Sequence, residues 1–205
     1  MNHLINDCTN LIYEIREKNP LIHNITNYVT VNDCANAVLA IGASPIMADD
    51  NAEVEEIVSM SSALVINMGT LNQRTIASMI MAGKKANELN IPVVLDPVGV
   101  GASTLRNKTV QEILSQVKID VIRGNLSEIS FLTGFKASTR GVDTAMVDEK
   151  NDAVGIAKLI SNRYSCVVGI TGKVDIISDG IRFAKVANGN KLLSKVTGIG
   201  CMTSA

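Results

Sequence analysis

Short apolar runs recur along this chain at intervals filled by stretches of helical length, and that rhythm leaves few folds open. Val93-Val94-Leu95 and Cys166-Val167-Val168-Gly169-Ile170 are apolar at successive positions, not alternate ones. Strands of that kind are buried on both faces, as in a parallel sheet covered by helices. The spacing predicts helices over 4–18, 29–41, 52–61, 73–89, 103–117, 126–133 and 153–164. Strands are predicted over 21–25, 44–48, 64–67, 92–96, 121–123 and 166–171, with a looser stretch over 134–148. Asn19-Pro20 ends the first helix and Gly42 the second. The rhythm then changes: segments 175–178 and 182–186 flank Asp179-Gly180, a two-residue hairpin turn signal. The chain is 46% hydrophobic but only 3% aromatic, with no Trp, so the core of this single α/β domain must be aliphatic. Its 205 residues suit one domain, with no internal repeat or linker.

Several function classes drop out. Lys and Arg total 19 against 20 Asp and Glu, and no basic block or aromatic–basic interleaving marks a nucleic-acid surface. Cys8, Cys34, Cys166 and Cys201 form no Cys-x-x-Cys pair, and two histidines give zinc little to bind. A reduced, cytoplasmic compartment fits that cysteine usage. The first 18 residues read as an amphipathic helix and not a signal peptide. No apolar run reaches the ~20 residues of a membrane helix. The expectation is a soluble cytoplasmic protein with a small-molecule substrate.

In a doubly wound sheet, ligands sit beyond the carboxyl ends of the strands. Asp96 ends an apolar strand and enters Pro97-Val98-Gly99-Val100-Gly101. A carboxylate there suits Mg²⁺ held partly through water, or simply a turn before proline. Gly99 and Gly101 do not complete a dinucleotide fingerprint, because Thr104 stands three positions on. Arg123, Asn125 and Glu128 cluster after the next strand. Asn125 with Glu128 reads as a helix capping box; with Arg123 it also reads as a phosphate and metal site. Thr171-Gly172-Lys173 is no Walker A loop, since Val167 and Val174 occupy its required positions; it reads either as an ordinary turn or as a hydroxyl and ammonium for a nucleotide phosphate. Asp49, Asp50 and Asn51 read as a cap and solvated helix start, Met47 as core, and His23 as a satisfied structural histidine. Finally Gly198-Ile199-Gly200-Cys201-Met202 forms a glycine turn opening a small-residue helix. It reads either as a tight turn before a helix or, with its converging N–H groups and about half a positive charge at a helix N-terminus, as an anion hole with Cys201 at the mouth. A thiol so placed is a candidate base.

Pro20-Leu21-Ile22-His23-Asn24-Ile25-Thr26-Asn27, Gly42 to Ala48, Leu95 to Ala102, Arg123-Gly124-Asn125 with Glu128, and Gly198 to Met202 together resemble the hydroxyethylthiazole kinases of thiamin salvage, within the ribokinase-like fold. The resemblance runs from residue 20 to the end. It implies a ribokinase-like layered fold with a mostly parallel central sheet flanked by helices. It also implies further helices after the terminal motif, so that residues 1–205 form an incomplete domain. The implied reaction is ATP-dependent phosphorylation of the primary alcohol of 4-methyl-5-(2-hydroxyethyl)thiazole, with Mg²⁺. The implied roles are substrate contacts at Met47, Gly198, Asn27 and Val29, nucleotide contacts at Arg123 and Thr171, and a Mg²⁺–phosphate role for Asp96 and Glu128. Cys201 and Gly200 are the implied catalytic positions, and a homotrimer with sites between subunits is implied as the assembly. Ile199 replaces the family's usual Thr and Lys173 a common Glu. Two alternatives stay open: another ribokinase-like kinase, such as one for hydroxymethylpyrimidine, and a non-catalytic thiazole-binding or assembly chain. Cys201 where relatives of the wider fold usually place Asp argues against the first.

Overall fold

A computed structural model describes residues 2–134 and 152–205 of the chain. The elements are α1 (Asn2–Lys18), β1 (Leu21–Ile25), α2 (Val31–Ile41), β2 (Ser44–Ile46), α3 (Val54–Ser59), β3 (Ala63–Asn67), α4 (Gln73–Glu88) and β4 (Val93–Asp96). They continue with α5 (Thr104–Gln116), β5 (Val121–Asn125), α6 (Leu126–Thr133), α7 (Ala153–Tyr164), β6 (Val167–Thr171), β7 (Asp175–Ser178), β8 (Phe183–Val186), a 3-10 turn (Lys191–Lys195) and α8 (Ile199–Ser204). Most of the predicted looser stretch, 135–148, lies outside the described residues.

One eight-stranded sheet runs in the order β2-β1-β3-β4-β5-β6-β7-β8. The first six strands are parallel, β7 runs antiparallel to β6, and β8 antiparallel to β7. That order, with right-handed crossovers, decides which face each helix covers. The connection from β1 to β2 runs one way along the sheet, so α2 lies on one face. Every later crossover, from β2 to β6, runs the other way and puts α3 to α7 on the opposite face. The direction reverses between β1 and β3, and a crevice opens there at the carboxyl ends. α8 returns to the α2 side and packs beside α2, β3 and β4.

The core is aliphatic, as composition required. Leu64, Ile66, Leu95, Ile122 and Val168 from the strands meet Met79, Ile113, Ile129, Leu132 and Ile160 from the helices, all buried. Toward the antiparallel end the sheet is covered on one face only. Val168, Ile170 and Ile176 are buried, whereas Val167 and Ile177 on the α8 side are 37% and 42% exposed.

Boundaries differ from the expected ones where side chains capture backbone groups. α2 starts at Val31 rather than 29, because Asn27 Oδ1 accepts from both the backbone N–H and the hydroxyl of Thr30 and holds 27–30 in a turn. β2 stops at Ile46 and not at 48: its pairing with β1 ends at His23, whose Nε2 lies 2.8 Å from the carbonyl oxygen of Ala48. The helix expected from 52 starts at Val54, since residues 50–53 form a turn on the Asp50 side chain and carbonyl. β5 extends to Asn125, paired in register with Thr171. The hairpin between β7 and β8 is a four-residue loop, 179–182, rather than the two-residue turn expected. Asp179 Oδ1 accepts from the N–H groups of Ile181 and Arg182, which widens the turn. α1 forms as predicted, but its apolar side chains do not bury: Ile5, Leu11, Ile12 and Tyr13 all face outward.

Candidate active site

Parallel register does the first part of the assembly. Asn67 and Asp96 are paired residues at the carboxyl ends of β3 and β4, so both carboxamide and carboxylate emerge side by side. Asn67 donates to Asp96 Oδ2 at 3.0 Å. On the next strands, Arg123 of β5 opposes Gly169 of β6. The guanidinium then reaches the diagonal neighbour Thr171, to which it donates. Its other arm stands 3.5 Å from Asp96 Oδ2.

α8 closes the cluster from above. Gly198, its cap, is left-handed (φ +83°), and a Cβ there would collide with the methyl group of Thr30. Gly200 lies against Arg123, whose guanidinium would be 2.7 Å from a Cβ at that position. Only two glycines let this turn sit on both residues. Ser204, from the same short helix, donates to Asp96 Oδ2 at 2.7 Å. Cys201 Sγ accepts from Asn27 Nδ2 at 3.2 Å, and the same nitrogen donates to Asn67 Oδ1 at 3.0 Å.

Asp96 is 0% exposed, and its Oδ1 has no partner among the described residues. Burial pushes its carboxyl up to about 6, against the opposing pull of Arg123 and Ser204. A buried orphan carboxylate oxygen is what a ligand would complete. Arg123 Nε is likewise buried without a partner among the described residues.

The other expected residues fall into place unequally. Glu128 accepts from the N–H of Asn125 and of Gly99, both at 2.8 Å, and the capping box with Asn125 is formed. It therefore anchors the loop after β4 beside Asp96. Gly172 N–H is taken by Asp175, and Lys173 is exposed. Asp49 and Asp50 pair with Arg74, and Asp50 also caps Ala52 N–H. Val29 lies exposed in the turn after β1, and Met47 is half-buried just past the edge strand β2. Three strand positions separate β2 from β4, about 14 Å at the usual spacing. Met47 is not part of the Asp96 cluster. His23 is satisfied on one side only among the described residues: Nε2 meets Ala48, while Nδ1 is buried with no partner there.

Burial lowers the His23 pKa, so its folded form stays neutral while the unfolded chain takes up a proton below ~6.5. The contribution is full above that pH and lost as pH falls. His23→Gln is expected to flatten the acid side of the stability profile below about pH 6.5, measured by urea unfolding.

Sequence reading passed over Asn67, Ser204 and Arg106. Asn67 carried a faint signal, a polar residue ending an apolar strand; Ser204 and Arg106 carried none. Arg106 donates to the carbonyls of Val98 and Gly69 at 2.6 and 2.7 Å, and to that of Met68. It thereby ties the loops after β3 and β4 together at the site. Arg106→Lys cannot fork to three carbonyls. It is expected to cost about 2 kcal/mol in chemical denaturation.

Among the described residues no group of three or more His, Cys, Asp and Glu could hold a metal by protein ligands alone. None of the described helices is long and apolar enough to cross a membrane.

Residues 12–205 match the model of the hydroxyethylthiazole kinase family. The chain belongs to that family. A hydroxyethylthiazole kinase of Ruminiclostridium cellulolyticum is 61% identical over 206 residues, covering 100% of this chain and 76% of that protein. The structure of a hydroxyethylthiazole kinase protein from Pyrococcus horikoshii OT3 superposes with a TM-score of 0.85 at 43% identity, over 94% of this chain and 71% of the other. A phosphomethylpyrimidine kinase from Clostridium difficile, 14% identical, matches in fold alone with a TM-score of 0.56, over 82% of this chain and 84% of that one. Within the hydroxyethylthiazole kinase family, then, the ribokinase-like α/β fold carries a cluster built on Asp96, Arg123, Thr171 and the Gly198–Cys201 turn.

Proposed function

We propose that this chain transfers the γ-phosphoryl group of ATP to the primary alcohol of 4-methyl-5-(2-hydroxyethyl)thiazole. The observation that carries the reading is the buried Asp96 carboxylate with one oxygen unpartnered, facing Arg123, Thr171 and a two-glycine turn at the carboxyl ends of parallel strands. Family membership supplies the substrate class.

Phosphoryl transfer asks little covalent chemistry of a protein and much positioning and charge stabilisation. Arg123 and Thr171 bind the nucleotide phosphates. The backbone N–H groups of the Gly198 to Cys201 turn face the charge that develops on the transferring group. Gly198, Asn27 and Val29 border the alcohol, and Cys201, held by Asn27, takes its proton. The donor set fits Mg²⁺: one free carboxylate oxygen at Asp96, and at Glu128 lone pairs beyond those used by Gly99 and Asn125. Mg²⁺ commonly takes one or two carboxylates and leaves its other positions to water and phosphate. When bound it would offset negative charge on the phosphates, with Asp96 and Glu128 as its holders through water or phosphate.

Met47, remote from Asp96 within one chain, completes the alcohol site of a neighbouring subunit in a homotrimer. Exposed Tyr28 and Val29 and the exposed apolar side chains of α1 support that assembly. Light scattering on the purified chain tests it, a monomer speaking against. Free Cys8, Cys34, Cys166 and Cys201 support a reducing, cytoplasmic setting.

ADP release coupled to a colour reaction, with the thiazole alcohol and with hydroxymethylpyrimidine as the rival acceptor, tests the function. Turnover only with the thiazole is expected; turnover only with the pyrimidine overturns the reading. Cys201→Ala should lose less than about 10³-fold in kcat, because a weak base adds to positioning rather than replacing it. A folded, wholly inactive Cys201→Ala would make the thiol indispensable instead.

A further inference from the structure

Two side-chain amides connect Asp96 to Cys201, and backbone groups fix which way each amide points. Asn27 Oδ1 accepts from Thr30 N–H and hydroxyl at 3.2 and 3.1 Å, so its nitrogen must be the donor end. That nitrogen has two hydrogens and two acceptors: Asn67 Oδ1 and Cys201 Sγ. Asn67 Oδ1 also accepts from Gly69 N–H at 2.9 Å, which forces its own nitrogen toward Asp96 Oδ2. Neither amide can flip without burying a donor against a donor. All three of Asn27, Asn67 and Asp96 are buried, where such a mismatch costs most.

We infer that Asn67 is a positioning residue of the kinase reaction: it joins the Asp96 carboxylate to the Asn27 amide that holds Cys201, and fixes both geometries at once. The inference rests on the proposed phosphoryl transfer for its catalytic consequence, but the joint itself does not. On the carboxylate side, Asn67 and Ser204 both occupy Oδ2, so Oδ1 is the oxygen left free. On the thiol side, Asn67 engages one hydrogen of Asn27 and keeps the other on Sγ. Hydrogen bonds in such a chain polarise one another. Asn67 touches neither substrate nor reacting atoms in this arrangement; it acts through its two neighbours.

The test replaces Asn67 by Leu, similar in volume, and by Ser, which keeps a small hydroxyl if the leucine variant does not fold. With the thiazole alcohol and ATP, kcat should fall about 10²-fold, the scale of a small misplacement in a positioned site. KM for both substrates should stay within roughly threefold, since ground-state binding is not what Asn67 supports. A loss carried by KM with kcat unchanged overturns the inference. The second readout needs no turnover: alkylation of Cys201 by iodoacetamide at one neutral pH, followed by peptide mass spectrometry so that exposed Cys8 is counted separately. The Asn27 N–H fixes Sγ in one position, so weakening that contact alters how the sulfur meets the reagent. Loss of Asn67 should therefore change the alkylation rate roughly fivefold, about what one net hydrogen bond is worth. An unchanged rate overturns the joint between Asn67 and Cys201. Should the parent chain show no turnover with the thiazole, the proposed function fails while the alkylation rates still decide the joint.

Discussion

Asp96→Asn is expected to abolish turnover and at the same time to stabilise the protein at alkaline pH. The two effects have one cause. The carboxylate is 0% exposed, and burial raises its pKa from 3.8 to about 6. The folded state therefore holds a proton that the unfolded chain releases near 3.8. Stability from this group is highest below about pH 4, falls as pH rises through the window from about 4 to 6, and stays low above it. A rise of that size corresponds to at most about 3 kcal/mol of destabilisation at pH 8, the figure being reduced by whatever Arg123 loses with its partner. Asparagine keeps an oxygen for Asn67 and Ser204 and removes the charge. Urea unfolding at pH 8 should show the variant more stable by up to that amount, with the difference gone below about pH 4. In the ADP-release assay kcat should fall by about 10³-fold or more, because the charge that organises the phosphates is lost. A variant less stable at pH 8 would show that the Asp96–Arg123 pair outweighs the burial of the charge. An active variant would remove Asp96 from the reaction.

Gly198→Ala should do damage out of proportion to one methyl group. The residue sits at φ +83°, where a side chain costs about 1 kcal/mol or more, and its Cβ would enter the space of the Thr30 methyl. α8 can only respond by moving away from α2. That movement separates Cys201 from Asn27 and Ser204 from Asp96, so the thiol and the carboxylate lose their supports together. About a 10²- to 10³-fold fall in kcat is expected, with a drop in melting temperature that is modest by comparison. Thr30→Ser removes the obstructing methyl and keeps the hydroxyl that Asn27 accepts from. The double variant Gly198→Ala/Thr30→Ser should recover part of the lost rate, read as a positive coupling in a double-mutant cycle. No recovery would place the damage in backbone strain and not in the contact with Thr30.

These expectations rest on contacts that differ in how far the chain reveals them. Asp96, Arg123 and Thr171 were legible because each ends an apolar strand, and strand tips in a parallel sheet gather at one edge. The Gly198–Gly200 pair was legible only beside the other strand tips, since a Gly-x-Gly alone equally fits a tight turn before a helix. Asn67 shows the opposite case. A polar residue after Ala63 to Ile66 signals a strand end, but its partner on each side is set by register with β4 and by the turn 27–30. The capping box at Asn125 and Glu128 was legible as local hydrogen bonding; its second bond, to Gly99, was not, since 29 residues separate the two. Arg106 had no signal at all, because an arginine in the first turn of a helix ordinarily points to solvent.

By itself, then, the sequence determined the layered α/β fold, the aliphatic core, the strand tips that carry the polar groups and the family to which the chain belongs. These follow from local periodicity and from residue types with few other uses. Only the tertiary structure decided that Asp96 keeps one oxygen free, that Asn27 and Asn67 join it to Cys201, and that Gly198 rests on Thr30. Such facts depend on which strands lie side by side and on how deeply a charge is buried. Both are properties of packing between distant segments, where no spacing along the chain records them.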